Sequence, residues 1–406
     1  MFLLTIPIPN KLKTLACKIT LSQLFWNFFL IGSLSFGGHM ALVAMVRKQL
    51  VEKLKVLKDE QVLEGASLAA MLPGPLAVNS VVYYGYILHG IRGAFASFFG
   101  VLLPTTLLVL VFAAFYFSVS QPDQLHIDYV IPAVAAIIAG VGISMGKQQI
   151  RFWSQGILAL LALLISVFAS HVLFLIGTLF VGGLAGYLLY FKSDQQQSSQ
   201  NIPEQAKTLP DIKQLVVVLL SIAFVLGILA GISGNLKTSL SLATVFSGMS
   251  LTLFGGGYVI IPIMKQALVS DLSWVSLSEF NAAIGISQVT PGPILSSVTF
   301  IGYKLAGISG AITATLAIFL PSGVIMLLVA SLHERIKHQA AITAMMTGIR
   351  SVVIGLIVSG AYTVGIASFG TDVFSWGVFV LALGATLFTK IHPSIIIGIT
   401  LAISFI

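Results

Sequence analysis

The 406-residue chain has few charged side chains, one cysteine and no recognisable catalytic grouping. Charged residues make up 8% of it, against about 25% in an ordinary soluble domain. A soluble fold of this length is therefore excluded, because it could not cover so much apolar surface. The single cysteine, Cys17, excludes a disulfide framework. The chain also lacks a Walker-type phosphate loop, a metal-ligand cluster and a paired nucleophile and base. We therefore expect no enzyme, no ATP hydrolysis, no metal and no cofactor.

Acidic residues are also scarce within the apolar segments. Of the thirteen Asp and Glu residues, Glu64 and Glu279 come nearest to the motifs described below, and none lies deep inside an apolar segment. This distribution argues against a cation pump with an intramembrane carboxylate relay and favours an anion as the substrate. The net charge of +8 predicts Lys and Arg in cytoplasmic loops, so nucleic acid is not expected as a partner.

The chain does have long apolar runs. It is 57% hydrophobic, with a mean hydropathy of +1.03. Nearly uncharged stretches recur at 93–118, 157–191, 215–236, 305–332 and 373–389. Each is long enough to cross a hydrocarbon core of about 30 Å as a helix. The sequence therefore predicts an all-α polytopic membrane protein that spans the lipid bilayer several times.

An internal repeat organises these segments. Two tripeptides recur at an offset of 218 residues: Phe36-Gly37-Gly38 with Phe254-Gly255-Gly256, and Pro73-Gly74-Pro75 with Pro291-Gly292-Pro293. One residue is then lost, and Gly85-Tyr86 matches Gly302-Tyr303 at an offset of 217. So many matches in register over about 70 residues indicate a duplicated unit.

Four regions follow from the repeat. They are a first membrane repeat at 1–191, a polar cytoplasmic linker at 192–213, an unpaired transmembrane helix at 214–237 and a second membrane repeat at 238–406. Six segments are predicted in each repeat: 20–46, 61–88, 93–118, 129–147, 153–168 and 171–191 in the first, and 238–267, 279–304, 306–332, 343–366, 373–389 and 391–406 in the second.

The distribution of positive charge favours one topology over another. If all thirteen segments cross the membrane, the Lys and Arg residues outside the membrane divide thirteen to seven between the two sides. If the two motif-bearing segments of each repeat are re-entrant, they divide seventeen to three. The second arrangement is preferred, although thirteen crossings stay open. Both place an odd number of crossings between the repeats, so the sequence predicts two inverted-topology repeats with broken or re-entrant helices and a cytoplasmic N-terminus.

The duplicated motifs are also the predicted substrate site. Pro and Gly interrupt helices, and non-helical backbone at membrane depth is tolerated only inside protein or beside a water-filled cavity. Amides at broken helix ends favour an anion, although such motifs can also serve only packing or kinks. The predicted site combines these motifs with nearby polar and basic side chains: Gly37, Gly38, Pro73, Gly74, Pro75, Asn79, Gly255, Gly256, Gly257, Tyr258, Gln288, Thr290, Pro291, Gly292, Pro293, Ser297, Thr299 and Arg350.

These motifs resemble those of the chromate transporter family in its two-domain form. The resemblance is carried by Ser35-Phe36-Gly37-Gly38, Leu72-Pro73-Gly74-Pro75, Phe254-Gly255-Gly256-Gly257-Tyr258, Gln288-Val289-Thr290-Pro291-Gly292-Pro293, Thr299-Phe300-Ile301-Gly302-Tyr303 and Phe319-Leu320-Pro321-Ser322. It implies a multi-pass carrier of the inner membrane that exports chromate, with sulfate as a related oxyanion.

The first half departs from the family's pattern at three positions. Ala70 stands where a glutamine is usual, His39 where a proline is usual, and Leu57 where an aromatic is usual. The leading hypothesis is a secondary transporter of chromate or sulfate. An anion channel of the same architecture and a non-transporting membrane scaffold are the alternatives, and a homodimer is left open as its assembly.

Overall fold

The computed structural model describes residues 19–35, 38–70, 72–118, 130–168, 172–198, 236–253, 257–331, 340–369, 372–389, 391 and 393–404. Every regular element in these ranges is a helix, which confirms the all-α prediction. By length and composition, three helical stretches of the described residues could cross a membrane: Leu76–Ser118, Ile294–Ala330 and Ala344–Tyr362. The first two are each interrupted by a break described below. Shorter apolar helices accompany them.

Within its described residues, the first repeat contains seven helices: α1 Leu21–Leu34, α2 Gly38–Val46, α3 Asp59–Ala69, α4 Leu76–Ser118, α5 Val130–Gln149, α6 Trp153–Phe168 and α7 Val172–Ser198. A π-helix, Arg47–Lys53, continues α2 into the predicted basic loop. The last helix runs to Ser198, so the first residues of the predicted linker are helical. The rest of that linker and nearly all of the predicted unpaired helix lie outside the described residues.

The second repeat shows the same order of helices: α8 Leu236–Thr252, α9 Ile260–Lys265, α10 Leu277–Val289, α11 Ser297–Ser331, α12 Ala340–Phe369, α13 Val373–Phe388 and α14 Pro393–Ser404. A π-helix, Gln266–Asp271, continues α9 at the place where Arg47–Lys53 continues α2. The duplication seen in the sequence therefore extends to irregular helical turns.

Each motif-bearing segment of the first repeat folds back on itself. The amide of Gln49 donates to the side-chain oxygen of Asn27 at 2.6 Å, across the first glycine motif. The hydroxyl of Tyr83 donates to Glu64 at 2.8 Å, across the first Pro-Gly-Pro motif. Each contact joins residues that lie a similar number of positions before and after a motif. The two arms are therefore antiparallel, and the motif forms the tip between them.

The second repeat returns in the same way. The ammonium group of Lys304 forms an ion pair with Glu279 across the second Pro-Gly-Pro motif. The ring of Phe246 packs edge-on at 6.2 Å against Trp274, whose amide donates to the carbonyl of Leu268, so the π-helix that follows α9 returns to α8. The four units are named the first, second, third and fourth hairpins, at 21–53, 59–88, 236–271 and 277–305. They have the re-entrant form that the charge distribution favoured.

A second reversal follows each Pro-Gly-Pro hairpin. The span of α4 is interrupted at His89 and Gly90, where Gly90 has φ of +61°. The hydroxyl of Ser97 donates to the carbonyl of Val81 at 2.9 Å, so the stretches 76–88 and 91–118 are antiparallel. The span of α11 is interrupted in the same way at Gly307, with φ of +58°. Positive φ is the region that glycine adopts at little cost, and the breaks confirm the predicted segment boundaries.

The two repeats are related by inversion. A Cβ atom added at Gly142 of α5 would lie 2.9 Å from Val358 of α12, and one added at Gly146 would lie 3.6 Å from Ile354. From Gly142 to Gly146, the point of contact moves towards the C-terminus of α5 but towards the N-terminus of α12. These counterpart helices are therefore antiparallel. Antiparallel counterparts are what an inverted-topology repeat requires.

Cysteine labelling in a Cys17→Ser background tests this inversion. The exposed side chains of Lys53 and Lys237 lie at the bases of the first and third hairpins, on opposite sides of the membrane in an inverted repeat. We expect an impermeant maleimide to label Lys53→Cys only from the cytoplasmic side, where basic loops accumulate, and Lys237→Cys only from the outer side. Labelling of both cysteines from the same side would contradict the inversion. In permeabilised membranes both cysteines should react, which is the control.

Candidate functional site

Helix length predicts that the tips of the hairpins lie inside the membrane. The outgoing arm of the second hairpin, 76–88, contains thirteen residues, or about 20 Å of helix. A hydrocarbon core is about 30 Å thick. The Pro-Gly-Pro tip at 72–75 therefore lies within the core. The inverted repeat brings the second set of tips to the same depth from the other side.

Two equivalent hydrogen bonds join the tips of one repeat to those of the other. The amide of Gly74 donates to the carbonyl of Leu253 at 2.6 Å, and the amide of Gly292 donates to the carbonyl of Ser35 at 2.9 Å. Both donors and both acceptors are related by the 218-residue offset. The acceptors follow the ends of α1 and α8, where helical carbonyls lack an intrahelical partner. Each Pro-Gly-Pro tip therefore supplies an amide to a broken helix of the other repeat.

The sequence predicted that amides of the broken helices bind the anion, with Gly74 and Gly292 among the site residues. In this structure the amides of these two glycines are engaged by carbonyls. The glycines are required for a different reason, since Gly74 has φ of +106° and Gly292 has φ of +112°. Three other predicted glycines, Gly37, Gly255 and Gly256, lie outside the described residues.

A hydroxyl residue of the opposite repeat packs against each tip. The hydroxyl of Thr105 donates to the carbonyl of Pro291 at 2.6 Å. A Cβ atom added at Gly74 would lie 2.0 Å from the Cβ atom of Ser322, the repeat counterpart of Thr105. Sequence reasoning did not identify Thr105 as part of the site. The signal was present, since a hydroxyl residue follows Pro104 and Pro321 at the matched offset.

The structure brings together two predicted residues of the second repeat. The hydroxyl of Tyr258, on the returning arm of the third hairpin, donates to the side-chain oxygen of Gln288 at 3.1 Å. Gln288 is 8% exposed and precedes the tip of the fourth hairpin. The counterpart positions in the first repeat are Met40 and Ala70, which cannot form this pair.

Polar atoms without partners lie directly after the Pro-Gly-Pro tips. Asn79 donates from its amide to the carbonyl of Pro73 at 3.0 Å, but its side-chain oxygen has no partner within the described ranges. The hydroxyls of Ser296 and Ser297 also have none there. All three side chains are at most 2% exposed. Because unpaired buried polar groups cost free energy, these groups are candidates for contact with a bound ion or water.

Other predicted hydroxyls are engaged locally. Thr299 shares a hydrogen bond of 2.8 Å with Thr315, which places it in the packing between the arms of α11 rather than at the tip. Thr290 donates to the carbonyl of Ser287 at 3.2 Å, at the end of α10. His39, which occupies the position where proline is usual in the family, hydrogen-bonds Ser80 at 2.9 Å and joins the first hairpin to the second.

Arg350 is the basic residue that the structure places against a tip. It lies within α12. One of its terminal nitrogens donates to the carbonyl of Ala70 at 3.1 Å. The polar side chains gathered at the tips are thus hydroxyls, amides, the imidazole of His39 and one guanidinium, and none of the tip residues is acidic. Such a set can hold an anion by hydrogen bonds and by one full charge.

The described residues form a polytopic α-helical membrane protein with two inverted repeats. The sequence model described as "Chromate transporter" matches residues 22–187 and again 240–405, one match to each repeat. The chain therefore belongs to the chromate transporter family.

Relatives of similar length support this assignment. The chain is 29% identical over 339 residues to an uncharacterized transporter of Methanocaldococcus jannaschii, covering 83% of this chain and 82% of that protein. It is 28% identical over 341 residues to a chromate transport protein of Cupriavidus metallidurans, covering 83% and 81%. It is 26% identical over 349 residues to a probable chromate transport protein of Synechococcus elongatus, covering 85% of each. No solved structure matches the chain.

Proposed function

We propose that this protein is a secondary transporter that exports chromate, or the related tetrahedral dianion sulfate, across the cell's inner membrane. The observation that carries the proposal is the meeting of Pro-Gly-Pro tips and broken helix ends from two inverted repeats, with Arg350, Gln288 and buried hydroxyls beside them. The chromate transport proteins among its relatives support chromate as the substrate.

Alternating access follows from the symmetry of the tips. Inverted-repeat carriers expose a central site to one side and then to the other by rocking one unit against its counterpart. The hydrogen bonds from Gly74 to Leu253 and from Gly292 to Ser35 are equivalent. Breaking the first or the second would therefore give two conformations that the pseudo-symmetry of the repeats relates to each other. In this proposal, the state with both bonds formed is the occluded intermediate between the inward-open and outward-open states.

Flux into inside-out vesicles tests the proposal. Labelled chromate and labelled sulfate are offered in separate experiments, with and without a pH gradient and with and without unlabelled anion on the other side. A carrier should give saturable uptake that is accelerated by trans anion. Flux that increases linearly with concentration and does not respond to trans anion would indicate a channel. The absence of flux for both anions, in vesicles that contain folded protein, would contradict anion transport and leave a scaffold.

A further inference from the structure

The two halves of the site differ in charge, and Arg350 is the cause. Arg350 lies six residues inside the apolar stretch Ala344–Tyr362, or about 9 Å along the helix. The guanidinium is half-buried and forms no ion pair within the described part of the chain. An arginine within a membrane-spanning helix is costly and generally marks a site for an ion or a substrate.

The contact of Arg350 places it at a defined point in the repeat. It donates to the carbonyl of Ala70, which caps α3 directly before the tip of the second hairpin. A guanidinium carries five N–H donors, and this bond uses one of them. The guanidinium is planar, and its remaining N–H groups can donate to two oxygens of one oxyanion. A lysine would contact the same ion only as a point charge.

Ala70 is the repeat counterpart of Gln288. In the fourth hairpin, this position carries an uncharged amide that is held by Tyr258. In the second hairpin, the same position has no polar side chain, and the guanidinium of Arg350 reaches its backbone instead. The counterpart of Arg350 at the 217-residue offset is Ala133, which is fully buried. The second repeat's tip therefore has no equivalent arginine from α5.

We propose that Arg350 and the tip of the second hairpin form a cationic subsite that binds the oxyanion off-centre and selects dianions over monoanions. This inference rests on the proposed transport of an oxyanion and assigns its charge recognition to one residue. Because the guanidinium faces the second hairpin, the dianion lies nearer to that hairpin, with Gln288 contributing uncharged hydrogen bonds from the other repeat.

A simpler role for Arg350 would be to cap the carboxyl end of α3. Arg350→Gln separates the two roles, since glutamine can still donate to a nearby carbonyl but carries no charge. Arg350→Lys keeps the charge without the planar guanidinium. Ala70→Leu leaves both the arginine and the backbone carbonyl in place but fills the space beside the guanidinium. Arg92→Gln is the matched control, because Arg92 is exposed at the base of the second hairpin.

The test is equilibrium binding of labelled chromate to the purified full-length protein, with sulfate and the tetrahedral monoanion perchlorate as competitors. Charged hydrogen bonds are worth about 1.5–3 kcal/mol, so Arg350→Gln should weaken chromate binding roughly tenfold to a hundredfold. It should also reduce the preference for sulfate over perchlorate. Arg350→Lys should retain that preference with weaker binding, Ala70→Leu should weaken binding, and Arg92→Gln should match the wild type.

Two results would overturn the subsite. One is wild-type affinity and wild-type preference for dianions in Arg350→Gln. The other, which applies even if that variant does not fold, is unchanged chromate binding in Ala70→Leu. A failure of the proposed function is a different observation, because the wild-type protein itself would then neither bind nor transport chromate or sulfate.

Discussion

Replacing Gly292 with alanine is expected to abolish transport and to reduce the yield of folded protein. The residue has φ of +112°, and a Cβ atom there would lie 2.2 Å from the hydroxyl oxygen of Thr105. Backbone strain costs about 1–3 kcal/mol and overpacking about 1–3 kcal/mol more. The shift needed to relieve the clash would also disturb the bond from the Gly292 amide to Ser35. Thermal unfolding in detergent and vesicle flux together measure the effect.

Two other glycines provide graded controls. Gly90 has φ of +61°, but a Cβ atom there would meet nothing within 4 Å, so Gly90→Ala carries the backbone strain without the clash. Gly384 lies within helix α13, with open space around its added Cβ atom. Gly384→Ala should be neutral or slightly stabilising, by about 0.5–1 kcal/mol. If Gly292→Ala behaved like Gly384→Ala, the tight approach of the two repeats at this tip would be wrong.

The clash also predicts a rescue. Thr105→Ala removes the oxygen nearest to the added methyl group and leaves the closest remaining atom of residue 105 at 3.1 Å. The double variant should therefore recover part of the stability lost in Gly292→Ala, although it also loses the hydrogen bond from Thr105 to Pro291. The effects of two substitutions on the free energy of unfolding are expected to be non-additive only where the two residues are in contact. Combining Thr105→Ala with Gly90→Ala should therefore show no rescue.

The sequence predicted the duplication, the breaks and the return of the hairpins because each leaves a local trace. Gly and Pro interrupt helices through their own backbone geometry. The length of an apolar run can be counted in the sequence and compared with the thickness of the membrane. The distribution of Lys and Arg distinguished re-entrant from spanning segments, because a segment that returns leaves the charges on both of its flanks on one side of the membrane. The Lys304–Glu279 pair across the fourth hairpin is consistent with that distribution.

The contacts between repeats could not be predicted in this way. The pairing of Gly74 with Leu253 uses two backbone groups, and backbone groups carry no side-chain signature. The local pattern indicated a free amide, and only the tertiary arrangement shows a carbonyl in front of it. Thr105 was missed for a related reason, since its role depends on a partner 186 residues away. The charge of Arg350 within an apolar segment made it a predicted site residue. Its contact with Ala70 could not be predicted, because it depends on how α12 packs against the second hairpin.

Replacing Gln288 with alanine is expected to raise the KM for chromate more than it lowers the maximal rate. In the structure its side-chain oxygen accepts from Tyr258, which orients the amide at the end of α10 before the tip. Loss of one hydrogen bond to a charged ligand costs about 1.5–3 kcal/mol, or roughly a tenfold to hundredfold change in affinity. Tyr258→Phe should have a smaller effect in the same direction, because the amide remains but loses the hydrogen bond from Tyr258.

Gln49→Ala is the matched control for this prediction. Gln49 also lies in a hairpin and also forms a side-chain hydrogen bond, but its partner is Asn27 in the adjacent arm. Its loss should cost stability of about 1 kcal/mol and leave the KM unchanged. If Gln288→Ala instead lowered the unfolding temperature while the KM stayed at the wild-type value, Gln288 would be a packing residue. Gln288→Ala combined with Arg350→Gln removes the amide from one half of the site and the charge from the other, and residual saturable flux in that variant would assign binding to the remaining polar groups at the tips.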